Sequence, residues 1–137
     1  MNADPRPNIP AERVAVILVD HGSKVEASNQ LLVEIVEAYR RHSDWAIVEP
    51  AHMELAEPSI AAAFDSCVKQ AAEFVIVMPY FLGPGRHSSQ DIPRLTAAAA
   101  SAHPGVEYLV AGPLGQHELM LEVIDSRLSE ALETSKR

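Results

Sequence analysis

Four times along this chain a run of aliphatic and β-branched residues is followed by a segment with helical spacing, and this alternation constrains the fold more than any other feature. RVAVILV at 13–19 and FVIVMPYF at 74–81 are continuous apolar runs, the pattern of strands buried on both faces. AIVEPAHM at 46–53 and VEYLVAG at 106–112 supply two more strands. Ser23-x-x-Glu26 fits a capping box, and Ser28, Leu32, Ile35, Val36 and Tyr39 recur at helical spacing behind it. EPSIAAAFDSCVKQAA at 57–72 reads as a second helix with Pro58 in its first turn. DIPRLTAAAASA at 91–102 is a third, ended by His103-Pro104-Gly105. GQHELMLEVIDSRLSEAL at 115–132 closes the domain as a fourth, amphipathic helix, with Met120, Val123, Ile124 and Ala131 on or near one stripe.

Four successive βα units predict a three-layer α/β/α architecture, with a four-stranded parallel sheet, right-handed crossovers and helices on both faces. Four strands are few for such a sheet. A strand edge or helical face is then left for a partner, and a homodimer is expected. Residues 1–12, with three prolines, read as a flexible tail, and 13–137 as a single domain.

Composition narrows the function classes. The chain has 19 acidic and 11 basic residues among 137, a formal net charge of −8. Nucleic-acid binding needs clustered Lys and Arg to displace counterions, so it is excluded as an expectation. The same excess of acid disfavours polyanionic small molecules. The only cysteine is Cys67, which removes disulfides, CxxC motifs and thiolate clusters, and its helical neighbours predict a buried, inert thiol. The first residues carry acids and lack an apolar core, unlike a secretory leader or transit peptide. No apolar run approaches the ~20 residues of a membrane span. A cytoplasmic protein is expected.

In an open parallel sheet, ligands bind beyond the carboxyl ends of the strands. That rule sorts the six histidines. His42 and His103 fall at helix C-termini on the opposite side, where a helix dipole is the natural partner. His21, His52, His87 and His117 fall at or just after strand ends. DHGS at 20–23, HMELAEP at 52–58 and PYFLGPGRH at 79–87 put His21, Glu54 and His87 in three loops that can converge, since neighbouring strands lie ~4.8 Å apart. Two imidazoles and a carboxylate with open positions suit a divalent first-row metal. Taken singly, His21 and His87 each fit equally well as an ordinary loop histidine, and Glu54 fits better as a solvated loop acid; the signal is their coincidence.

Other catalytic motifs are missing. Gly83-x-Gly85 lacks the third glycine of a dinucleotide fingerprint, and no P-loop or GxSxG elbow occurs. Ser23 and Ser88 lie near histidines, but at helix starts they read as N-caps.

DHGSK at 20–24, EPAHMELAEPSI at 49–60, PYFLGPGRHSSQDIP at 79–93 and AGPLGQHELM at 111–120 resemble the short sirohydrochlorin chelatases, with a flavour closest to the plant and cyanobacterial ferrochelatase. The resemblance covers roughly residues 13–132. It implies a lyase that inserts Fe2+ into sirohydrochlorin to form siroheme; the alternatives are a cobaltochelatase of cobalamin synthesis or a non-catalytic metal or tetrapyrrole carrier. It places the metal-binding and catalytic residues on His21, Glu54 and His87, leaving His52 a structural role and His117 at most the rim. The metal, Fe2+ or Co2+, is then a substrate, with no permanently bound cofactor. The C-terminal cysteines of the plant enzymes are absent, so no iron–sulfur cluster is expected. The family's short members are homodimers, in keeping with the small sheet.

The implied tetrapyrrole is a polycarboxylate, at odds with the acidic composition. Local positive potential must come from helix N-termini facing the strand ends. Ser23, Ser59, Ser88 and Ser89 add donors there, and Lys24, Arg86 and Arg94 add charge. The expected substrate-binding set is Ser23, Lys24, Gly85, Arg86 and Ser88, with Arg86 in the glycine loop as the carboxylate clamp.

Overall fold

The structure, a computed structural model, describes residues 9–83, 85 and 88–135. Four strands, β1 (Val14–Asp20), β2 (Ile47–His52), β3 (Phe74–Pro79) and β4 (Glu107–Val110), alternate with α1 (Glu26–His42), α2 (Ile60–Lys69), α3 (Ser88–Ala100) and α4 (Glu118–Ser135). The sheet is wholly parallel with strand order β2-β1-β3-β4. The expected fold class is therefore the observed one. Most of the tail expected at 1–12 lies outside the described residues; Ala11–Arg13 form a single 3₁₀ turn leading into β1.

The central strand β1 is buried along Val14–Val19, as its apolar run requires. Its side chains alternate between two cores. Ala15, Ile17 and Val19 join Val75 and Val77 under Phe64, Ala63 and Cys67 of α2 and Ile92 and Ala99 of α3. Val16, Leu18 and Val48 pack on the other face under Leu32 and Val36 of α1.

Three local readings change. Ser23 and Glu26 do not form a capping box. Val25 occupies the N-cap of α1 without a side-chain bond, while the Ser23 hydroxyl accepts from the Val25 N–H at 2.9 Å. The buried Asn29 amide replaces the box: its Oδ1 accepts from the Ser23 N–H at 3.0 Å and its Nδ2 donates to the Ser23 carbonyl at 2.8 Å. One side chain thus satisfies two backbone groups of the β1–α1 loop, which makes a carboxylate at position 26 unnecessary. In α2, Pro58 precedes the helix instead of standing in its first turn. Ser59 is the cap, its Oγ accepting from the Ala62 N–H at 3.1 Å. The fourth helix does not close the domain: no residue of α4 is buried.

Candidate metal site at the strand ends

β1 and β2 pair in register up to Asp20 and His52, and the ladder runs on into the loops. The Met53 N–H donates to the Asp20 carbonyl at 2.9 Å, and the Glu54 N–H to the His21 carbonyl at 3.1 Å. His21 and Glu54 are consequently held side by side by backbone, both exposed at the carboxyl edge. Gly22 allows the approach. Its φ of +86° lies in the left-handed region, and a Cβ there would stand 1.8 Å from the Glu54 carbonyl oxygen. No other residue type fits without moving one loop.

A second layer of contacts fixes this edge from below. His52 is buried, and its Nδ1 lies 2.6 Å from Asp20 Oδ1, which also accepts from the Gly22 N–H at 3.0 Å. A single carboxylate oxygen thereby ties β2 to the turn that carries His21. The His52 N–H donates in turn to the Pro58 carbonyl at 2.8 Å, closing the MELAEP loop on itself. Within that loop Leu55 has φ +70°, a strained setting for a γ-branched residue and one found disproportionately at functional sites.

β3 contributes from the other side of β1. The Tyr80 N–H donates to the Val19 carbonyl at 2.6 Å and carries Phe81 next to His21. The two rings stack with centroids 4.5 Å apart and planes 22° from parallel. The stack sets the plane of the imidazole and so the direction of its nitrogens.

Two of the three expected metal ligands are therefore brought together. His87 and Arg86 lie outside the described residues, and among the described residues no group of three His, Cys, Asp or Glu could hold a metal ion. Of the expected substrate contacts, Lys24 and Gly85 are exposed at this edge, the Ser23 hydroxyl serves the loop as described, and Ser88 is the first residue of α3. Arg94 pairs with Asp91 on the surface of α3 at 3.2 Å. His103, expected against a helix dipole, instead has its Nε2 2.6 Å from Asp65 Oδ1 and its ring stacked on Phe64, tying the end of α3 to α2. Cys67 is fully buried as expected, and burial, helped by the nearby Glu49 carboxylate, pushes its thiol up to about 12.

The Asp20–His52 link, the Gly22–Glu54 approach and the Phe81 stack were not legible from residue spacing. Only the first left a signal: Asp20 and His52 close two adjacent apolar runs, so a polar pair there must either meet or stay unsatisfied.

A parallel sheet in this order, with helices on both faces, defines an open-sheet α/β protein, the class in which ligands bind at the carboxyl edge where His21 and Glu54 stand. The chain belongs to the CbiX family, whose model matches residues 15–131. It is 51% identical over 117 residues to the chloroplastic sirohydrochlorin ferrochelatase of Arabidopsis thaliana, covering 85% of this chain and 52% of that protein. It is 39% identical over 89 residues to the sirohydrochlorin cobaltochelatase of Methanocaldococcus jannaschii, covering 65% of this chain and 62% of that one. Among solved structures, SirB from Bacillus subtilis with Fe3+ superposes with a TM-score of 0.81 at 30% identity, over 87% of this chain and 47% of SirB. The chain spans about half the length of the ferrochelatase and SirB chains it matches.

Proposed function

We propose that this protein is a sirohydrochlorin ferrochelatase, a lyase that places Fe2+ in sirohydrochlorin to give siroheme. The observation that carries the reading is the backbone-enforced pairing of His21 with Glu54 at adjacent strand ends, with the His21 ring held against Phe81. The relatives whose names state this reaction support it.

Insertion requires that the metal be held loosely enough to leave, that the macrocycle be oriented, and that two pyrrole N–H protons depart as M2+ enters. Imidazoles that are neutral near pH 7 serve the first need and can accept protons for the third. In this reading His21 and His87 hold the incoming metal toward the ring, and Glu54 strips its water and takes up protons. All four helices begin at the carboxyl edge of the sheet, where their free N–H groups favour the substrate's carboxylates. Lys24 and Arg86 add charge. The acid excess of the chain falls elsewhere, notably on α4 with its Glu118, Glu122, Asp125, Glu130 and Glu133.

The cobaltochelatase relative supports a second reading in which Co2+ is the cargo. N and O donors separate the two metals poorly, and availability usually decides. One assay tests all of this: sirohydrochlorin absorbance followed with Fe2+ or Co2+ in the presence of the protein. Faster insertion of Fe2+ than the spontaneous reaction, abolished in His21→Ala and His87→Ala with the fold retained, is the expected result. Full turnover in either variant removes that residue from the site. Binding of tetrapyrrole with no acceleration makes the protein a carrier.

A further inference from the structure

Three βα loops meet around the His21–Glu54 pair, and each leaves one large aliphatic residue in water. Val25, the N-cap of α1, is 61% exposed, Leu55 in the β2–α2 loop 59% and Leu82 in the β3–α3 loop 64%. None of the three belongs to either core. Their places in the chain tie them to the site. Leu55 directly follows Glu54, and Leu82 directly follows Phe81, whose ring is stacked on His21. Because β1 lies between β2 and β3, the loops bearing Leu55 and Leu82 flank the one that bears His21 and Val25. A single exposed leucine is ordinary on a protein surface. Three aliphatic residues on consecutive loops around one polar pair form an apolar rim.

Leu55 carries a second cost that its surroundings do not return. Among the described residues, two other than glycine have positive φ, Ala71 at +75° and Leu55 at +70°. Ala71 ends α2. Its N–H donates to the Val68 carbonyl at 2.9 Å and the Ala72 N–H to the Cys67 carbonyl at 3.0 Å, the paired bonds with which a helix closes on a left-handed residue. Leu55 stands at no helix end. The loop around it is closed by its neighbours, the His52 N–H on the Pro58 carbonyl and the Glu54 N–H on the His21 carbonyl. Glycine or asparagine adopts such a backbone at lower cost than leucine. A side chain that is exposed on a strained backbone does little for the folded chain, so the apolar surface of Leu55 serves a contact outside it.

We propose that Leu55, Leu82 and Val25 are the seat of the tetrapyrrole ring, lying against the conjugated macrocycle while its peripheral carboxylates reach the helix N-termini outside the rim. This rests on the chelatase reading of the site and adds the residues that hold the ring. A tetrapyrrole is a flat apolar disc edged with carboxylates. The His21–Glu54 pair must face the centre of that disc, where the metal enters, and aliphatic groups around the pair cover the ring without offering a competing ligand. The ends of β2, β1 and β3 together span ~10 Å, close to the breadth of one such ring system. Water displaced from between the rim and the ring favours binding by the same amount before and after the metal enters. The seat therefore acts on affinity for the tetrapyrrole and leaves the insertion step alone.

Leu55→Gly and Leu55→Asn remove the aliphatic surface and suit the left-handed backbone, so they separate the seat from the fold. Each should denature at or above the wild-type midpoint. Each should nevertheless raise the KM for sirohydrochlorin about tenfold, as loss of most of a leucine contact predicts. The dissociation constant of metal-free sirohydrochlorin, read from its absorbance, should rise in step, with kcat within about twofold of wild type. Leu82→Ser should act alike. Leu55→Met, which keeps an apolar side chain, should bind as wild type does, as should Leu31→Gln, at a leucine 56% exposed on α1. Co2+ alone, titrated by its visible absorption, should bind every variant equally. Unchanged KM in the Leu55 and Leu82 variants, beside a wild type that inserts metal, overturns the seat and leaves the chelatase reading standing. A lowered midpoint in both Leu55→Gly and Leu55→Asn makes Leu55 a structural residue and overturns its part in the seat. Wild type that binds the tetrapyrrole without inserting metal, with binding weakened about tenfold in these variants, removes the chelatase reading and keeps the seat.

Discussion

Asp20 and His52, the last residues of β1 and β2, are register partners whose side chains meet at 2.6 Å beneath the loops that carry His21 and Glu54. The carboxylate oxygen that meets the imidazole also receives the Gly22 N–H, so one atom couples the two loops. His52→Ala removes a buried ring and leaves Asp20 with one partner fewer. A loss of roughly 2–3 kcal/mol is expected by denaturant titration. Insertion of metal should fall in His52→Ala even where the variant is folded, because the turn holding His21 loses its anchor. Unchanged turnover in a folded His52→Ala protein contradicts the coupling.

Gly22 and Gly115 both have positive φ, yet they differ in surroundings. A Cβ on Gly22 meets the Glu54 carbonyl at 1.8 Å, whereas one on Gly115 finds nothing nearer than 3.6 Å. Gly115→Ala should cost about 1 kcal/mol, the backbone penalty alone. Gly22→Ala should cost distinctly more and also impair insertion. The check is the shift in denaturation midpoint at constant m. Equal shifts for the two variants would refute the close approach.

Ser59 caps α2 at the end of the loop bearing Glu54. Ser59→Ala should lower stability by ~1 kcal/mol through loss of the bond to the Ala62 N–H, while Ser59→Thr keeps an acceptor and should stay near wild type. Thermal melts of the pair decide this.

Burial pushes the Cys67 thiol up to about 12, above its ordinary value of 9.0. Between those two values the folded protein keeps a proton that the unfolded chain gives up, so stability falls as pH rises through this window and is unaffected by this group below it. At pH 8 the thiol should resist a thiolate-selective reagent until denaturant is added. Rapid labelling of the folded protein would contradict its burial.

Much of the fold was legible because alternation and burial act locally. RVAVILV and FVIVMPYF became β1 and β3 with ends displaced by only one or two residues. The strand-end rule brought His21 and Glu54 to one edge for the same reason, since both directly follow strands that pair. What spacing misread were positions with two chemically sensible partners. Ser23 could cap with Glu26 or be clasped by Asn29, and the outcome depended on Asn29 being buried under the loop. His52 was left a structural role without a partner, and register supplied Asp20.

The sequence by itself determined the order of elements, the parallel sheet and the edge where chemistry is placed, because apolar runs and helical periodicity are properties of neighbouring residues. Only the tertiary structure decided which loops touch and what lies uncovered. The Gly22–Glu54 approach, the Phe81–His21 stack and the aliphatic rim around them depend on contacts between residues far apart in the chain. The fourth helix shows the division most clearly. Its amphipathic stripe was plain in the sequence, but that no residue of the helix is buried, although Leu114 and Gly115 just before it are hydrogen-bonded to the loop after β3, is a fact of the tertiary structure alone.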